Sequence, residues 1–367
     1  MKKGLFIFYD ASKTMEHPKQ SGIFRKISAQ VKALGKEGET ECELLVIPRP
    51  DCGRILLFAK YLFSDQYAPY YDRIKDCDFI YIRRFLPTNA GLIKLLRKLK
   101  KNTNVKVFFE FPTFPYDQEH KTGVMKVLLV IDKLFRNRLK KYVDHAVVIG
   151  SFKDPFGMKS INIPNGIDCS SIKVSEGKFT DDAYHLIAVA NFMFYHGYER
   201  LIKGIKEYNA GNPAKSIVLH LVGPRTEECI KYEQLIKEEH LEESVIIHGP
   251  AFGEELDAYY DGAHMGVASL ARKEFKIFSD LKSREYMARG IPLMSASIVD
   301  VAQEDDFALY VPNDDSVIDV AAVVNFLDSL YNAYGKSDLS EHIRTAAEER
   351  CDMSVTMAPV LDAILND

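Results

Sequence analysis

The sequence predicts an α/β protein built of two doubly wound, Rossmann-like domains facing one another across a cleft. Three observations carry that prediction. Short apolar runs alternate with segments of helical spacing along the chain. The alternation closes at a turn, Pro164-Asn165-Gly166, and then starts again. The 367 residues, 47% hydrophobic and 27% charged, suffice for two buried cores. On this reading residues 1–168 form the first domain, 169–350 the second, and 351–367 a C-terminal helix that packs back on the first.

In the first half, Gly4 to Tyr9 reads as a buried strand ending at Asp10. A polar segment follows, then a helix in which Ile23, Ile27, Val31 and Leu34 fall on one face. Ser21 and Gly22 stand at its start, where a residue without a side chain lets a ligand approach the backbone. Cys42–Ile47 and Phe79–Ile82 read as further strands, and the pattern over 89–101 as a helix ending in basic residues. Asp76-Cys77-Asp78 spells a pattern known from metal-dependent transferases. It lies before a strand, the wrong end for a site at strand carboxyl ends, so it reads as a turn and no metal site is expected.

The strand Val105–Phe109 delivers EFPTFPYDQEH at its carboxyl end. Two prolines stiffen this loop and gather Glu110, Thr113, Tyr116, Asp117 and Glu119, whose carboxylates suit hydroxyl binding or proton transfer. Segment 126–142 mixes apolar and basic residues, and a strand at 146–149 precedes the closing turn.

The second half reads as strand 184–190, helix 198–209, strand 216–222, helix 226–240, strand 244–248, helix 253–261 and strand 265–269. SDLKSREYMARGIPLM follows, with Ser279 or Asp280 capping a helix from Leu281 and Gly290 ending it. Unpaired N–H groups at a helix start favour anions; Lys282 and Arg284 add charge there, and Glu285 an acceptor one turn on. Helices over 316–331, 339–350 and 354–365 complete the pattern.

The six cysteines lie too far apart in sequence for a zinc motif, and no cleavable signal precedes Leu5. No apolar run reaches the ~18 residues of a membrane span. The expected setting is cytoplasmic, at most peripheral to the inner face of the membrane. Residues 1–168 hold 30 Lys and Arg against 18 Asp and Glu, whereas 169–367 hold 18 against 34. A basic half beside apolar, basic helices suits an anionic membrane, and mutual attraction of the halves explains it as well. No nucleic-acid-binding module accompanies the charge.

IPNGID at 163–168, AVANFMFYHGYERLIKGI at 188–205, HLVGP at 220–224, EELDAYYDGAHMGVASL at 254–270 and LKSREYMARGIPLM at 281–294 resemble, in that order, bacterial family-4-like glycosyltransferases of the GT-B fold. In the first half the likeness is thinner and rests on SGIFRKISAQVKAL and on EFPTFPYDQE, which resembles a loop of capsule and exopolysaccharide transferases. The resemblance implies retaining transfer of a hexose from a UDP- or GDP-linked donor to a saccharide or lipid-linked acceptor in surface polysaccharide synthesis, with no cofactor or obligatory metal. It implies an acceptor-side first domain and a donor-binding second one. Glu110, His196 and Lys282 take catalytic positions. Ser21, Gly22, Asn165, Asn191, Gly197, Lys276, Ser283 and Glu285 face the donor, and Thr113, Tyr116, Asp117 and Glu119 the acceptor.

The chain departs from the family pattern at defined places. Asn191 and His196-Gly197 stand where an Arg and a Lys-Gly are common, and Ile277 replaces the first glutamate of a Glu-x7-Glu pair. Lys282, Lys276 and Arg272 are the available compensating cations. Two rival readings stay open: a non-catalytic partner subunit that has lost the donor site, and a nucleotide-sugar epimerase of the same fold.

Overall fold

The computed structural model describes residues 1–10, 22–117, 123–178, 182–271 and 277–366; Ser21, Glu119, Arg272 and Lys276 therefore lie outside the described residues. The chain divides into two compact units, Met1–Asn165 with Met353–Asp367, and Gly166–Asp352.

The first unit runs β1 (Lys2–Asp10), α1 (Gly22–Leu34), β2 (Thr40–Pro48), α2 (Arg54–Phe63), α3 (Tyr71–Lys75), β3 (Phe79–Arg83), α4 (Ala90–Asn102), β4 (Lys106–Phe111), α5 (Gly123–Phe135), β5 (His145–Ile149) and β6 (Ser160–Ile163). Its six strands pair in parallel in the order β2-β1-β3-β4-β5-β6. The central strands are apolar on both faces because helices cover both, as parallel sheets require. One layer carries α2, α4 and α5: Leu57, Leu92, Leu96 and Ile131 pack there on Ile7, Ile80 and Val107. Asn89 caps α4 by accepting from the Leu92 N–H at 2.9 Å, and the Leu side chains of α4 turn inward while its Lys and Arg residues face solvent. Asp78, from the Asp-x-Asp pattern, accepts from the Lys3 N–H at 2.7 Å and so ties β1 at the amino end of the sheet.

The second unit runs β7 (Tyr184–Val189), α6 (Tyr198–Asn209), β8 (Ile217–Val222), α7 (Glu227–Glu238), β9 (Val245–His248), α8 (Glu254–Asp261), β10 (Met265–Val267), β11 (Ile277–Phe278), α9 (Leu281–Ala288), β12 (Leu293–Ser295), β13 (Ile298–Val299), β14 (Ala308–Tyr310), α10 (Val320–Tyr334) and α11 (Lys336–Arg350). Its main sheet is ordered β14-β12-β10-β7-β8-β9, and β11 pairs with β13 in a two-stranded ribbon. The chain then returns to the first unit as α12 (Met353–Thr356) and α13 (Ala358–Asn366), where Met353, Met357, Val360 and Ile364 join Ile27 and Leu34 of α1 in the second apolar layer of that sheet.

A row of imidazoles crosses the second sheet. His185 Nδ1 lies 2.8 Å from His220 Nε2, and His220 Nδ1 lies 3.0 Å from His248 Nε2. Each contact needs one proton between two nitrogens, so a second proton on either pair breaks it. Burial holds the His248 pKa below its ordinary value of 6.5. A histidine with a depressed folded pKa contributes stability that is whole above the unfolded value and is lost as pH falls through the folded one. The melting temperature should therefore fall as pH is lowered from neutrality towards about 5, and His248→Asn should flatten that part of the profile; equal slopes in both proteins would remove the ladder as its cause.

Candidate functional site

Counted from β7, the strand order of the second sheet is third, second, first, fourth, fifth, sixth, the order of dinucleotide-binding sheets, and it reverses between β7 and β10. In sheets of this order the carboxyl ends of those two strands are the usual place for a nucleotide. The loop after β7 carries Asn191, which is exposed, and a short 3-10 turn, Phe194–His196. Gly197 then takes a left-handed φ of 64°. A Cβ there would lie 2.6 Å from the Ala271 Cβ, so only glycine lets the two loops close on each other. The Leu270 N–H donates to the His196 carbonyl at 2.8 Å and locks that closure.

The His196 ring is buried, accepts from the Met193 N–H through Nδ1 at 3.1 Å and stacks on Tyr198 with centroids 5.4 Å apart. Lys282, in the first turn of α9, places Nζ 3.2 Å from the same Tyr198 hydroxyl. Burial holds the Tyr198 phenol well above its ordinary pKa, so it stays neutral beside the ammonium group. His196, Gly197, Tyr198 and Lys282 thus form one group at the switch point. Of the two expected caps of α9, Asp280 is the one used, accepting from the Ser283 N–H at 2.6 Å and from Ser283 Oγ at 2.9 Å, so the backbone donor at Ser283 is already engaged.

Arg284 is not the exposed cation that its place in the motif predicts. Its side chain is fully buried, donating to the Asp280 carbonyl at 2.7 Å and to Ser279 Oγ at 3.0 Å, and pairing with Asp300 at 2.6 Å. It organises the α9 cap from behind. Glu285 is held by Arg289 at 3.3 Å, one turn on, while Arg289 also pairs with Asp257 at 2.7 Å.

In the first unit, Glu110 belongs to β4 instead of leaving the strand, and its carboxylate is fully buried. It accepts from Gln30 Nε2 at 2.9 Å, from the Tyr81 hydroxyl at 3.0 Å and from Arg83, its register partner on β3. The neighbouring cation satisfies the charge that, in the sequence, marks the strand end. Tyr116 is buried as well, its hydroxyl donating to Asp132 at 2.7 Å; Asp117 takes a two-pronged contact from Arg136 at 2.5 and 3.0 Å. That contact holds the Asp117 carboxyl below its usual range. Thr113 is exposed on the same loop. Gly22 opens α1 where an added Cβ would meet no described atom within 4 Å, and Asn165 accepts from Lys26 of that helix at 2.5 Å.

Three residues of these clusters escaped the sequence reading. Tyr198 looks there like an ordinary apolar helix position. Arg83 and Arg84 follow a buried strand as a conspicuous pair, and that adjacency was the available signal. Arg84 lies over the Tyr116 ring, 3.3 Å from its centroid, with Nε and Nη2 buried and without hydrogen-bond partners among the described residues.

No curated protein matches the chain significantly. Among solved structures, sucrose-phosphate synthase of Thermosynechococcus elongatus superposes with a TM-score of 0.65 at 15% identity, covering 99% of both chains. A glycosyltransferase of Rickettsia africae gives 0.65 at 12% identity, covering 100% of this chain and 99% of its own. HepE of Anabaena, in complex with UDP, gives 0.63 at 13%, covering 99% of each. The two parallel six-stranded sheets with flanking helices are those of the GT-B glycosyltransferase fold. Within it, residues 183–329, which run from β7 into α10 and include His196, Gly197, Lys282 and Glu285, match the family described as glycosyl transferases group 1.

Proposed function

We propose that the protein is a retaining glycosyltransferase that moves a hexose from a UDP- or GDP-linked donor, held by the second unit, to a saccharide or lipid-linked acceptor in surface polysaccharide synthesis. The observation that carries the reading is the convergence of His196, Tyr198 and Lys282 at the reversal of strand order, inside the segment that matches glycosyl transferases group 1. HepE, of the same fold, binds UDP. Breaking the bond from a sugar to a diphosphate builds negative charge on the leaving oxygen. The Lys282 ammonium meets that charge, with Tyr198 setting its position and His196 shaping the wall beside it. The departing phosphate takes the proton of the attacking hydroxyl on the same face of the sugar, so no protein base is required. Glu285 receives the ribose. Arg272, Lys273 and Lys276, which precede β11 in the sequence, are further cations.

One observation favours the non-catalytic reading: the Asp280 carboxylate occupies the Ser283 N–H that would otherwise face a phosphate. Titration calorimetry with UDP and GDP separates the two. A transferase should bind one of them with a dissociation constant in the micromolar to millimolar range and release its sugar when given the matching donor. Absence of binding to both nucleotides, in a folded protein, would leave the partner-subunit reading standing.

A further inference from the structure

The layer of the first unit formed by α2, α4 and α5 shows two kinds of surface side by side, with α2 packed against both of its neighbours. The first kind is apolar. Helix α2 packs Leu57 and Tyr61 inward, yet Ile55 is 87% exposed and Phe63 81%. On α5, Val124, Val127, Val130 and Leu134 are exposed at spacings of three, three and four, which places them along one stripe. Helices that are apolar on every side are normally covered on every side. Here the outer side faces solvent, and patches of this kind mark sites of association.

The second kind is basic. The outer face of α4 carries Lys94, Arg97, Lys98, Lys100 and Lys101, and the turn after α5 exposes Arg138, Lys140 and Lys141. Across α2, α4, α5 and that turn the only acid is Asp132, which is buried against Tyr116 and the Thr88 N–H. Beside α4 lies a cavity of about 480 Å³ whose lining includes Lys94, Arg97, Lys98 and Lys101, together with Tyr71 and Asp65.

We propose that this layer docks on an anionic lipid bilayer, with Ile55, Phe63 and the α5 stripe entering the interface and the α4 cavity receiving lipid phosphate. The charge selects the occupant. A twofold contact between copies would bring the patch against itself and oppose its own lysines and arginines, whereas an anionic bilayer offers acyl chains and phosphates together. The inference rests on the first unit alone and stands apart from the transferase reading.

The test is flotation of the full chain with phosphatidylcholine vesicles prepared with and without phosphatidylglycerol. Binding should require phosphatidylglycerol and should weaken as salt shortens the screening length to about 3 Å near 1 M. Phe63→Asp with Ile55→Asp, and separately Lys94→Glu with Arg97→Glu, should each lower partition by about tenfold or more. These side chains lie on the solvent side of their helices, and an unchanged circular dichroism spectrum and melting temperature confirm folded variants. Equal binding to both vesicle types, binding to neither, or variants that float like the parent would overturn the proposal. A concentration-dependent dimer in sedimentation equilibrium that Phe63→Asp dissociates, with no vesicle binding, would overturn it in favour of a second copy.

Discussion

Lys282→Ala is expected to lower kcat by about tenfold to a thousandfold, the range for loss of one preorganised electrostatic stabiliser. The ammonium sits at the first turn of α9, 3.2 Å from the Tyr198 hydroxyl, and the guanidinium two residues on is committed to Asp300. Little neighbouring charge is therefore positioned to take its place among the described residues. Because the charge it meets develops mainly in the transition state, kcat should fall further than KM rises. Lys282→Arg, which keeps the charge but not the point geometry, should recover part of the loss. Steady-state transfer kinetics with the matching donor decide the matter. Unchanged turnover in Lys282→Ala would move the task to the cations before β11.

Glu110→Gln is expected to destabilise the first unit by about 3 to 5 kcal/mol, the usual consequence of breaking a buried ion pair on one side. Three donors converge on that carboxylate, from Gln30, Tyr81 and Arg83. A carboxamide retains one accepting oxygen and turns its own N–H groups on the remaining donors, while Arg83 loses its counter-charge. Urea denaturation followed by circular dichroism measures the change; UDP or GDP titration should report intact binding by the second unit. A variant of unaltered stability whose transfer rate falls about a hundredfold would instead give Glu110 a direct part in the reaction.

These two residues also show how far the sequence could be read. Helix 198–209 is found as Tyr198–Asn209 because its apolar spacing is regular and glycine precedes it. The strand expected to end at Phe109 runs to Phe111, since an ionised side chain looks like a boundary until its partner is known. That partner lies on the adjacent strand, in register, and register is a tertiary property. Segment 126–142, read as a mixture of apolar and basic residues, is helical up to Phe135 and continues as a 3-10 turn through Arg136–Lys141, where Arg136 reaches back to Asp117. His196 and Lys282, singled out for their places at loop-to-helix junctions, both meet Tyr198. Arg284 was misread for the opposite reason: a motif position gives a charge but not the direction in which the side chain turns.

The return of residues 353–366 to the first unit reverses the ordinary sequence of events during synthesis. Domains generally mature in the order in which they leave the ribosome. Here the second unit is one continuous stretch, Gly166–Asp352, and can close as soon as it has emerged. The first unit must wait, because the layer behind α1 lacks Met353, Met357, Val360 and Ile364 until the last helices arrive. A nascent chain halted before Met353 would thus hold a finished second unit attached to a first unit whose apolar layer over Phe6, Phe79 and Phe108 has the α1 residues but lacks those of α12 and α13, a surface suited to chaperone capture.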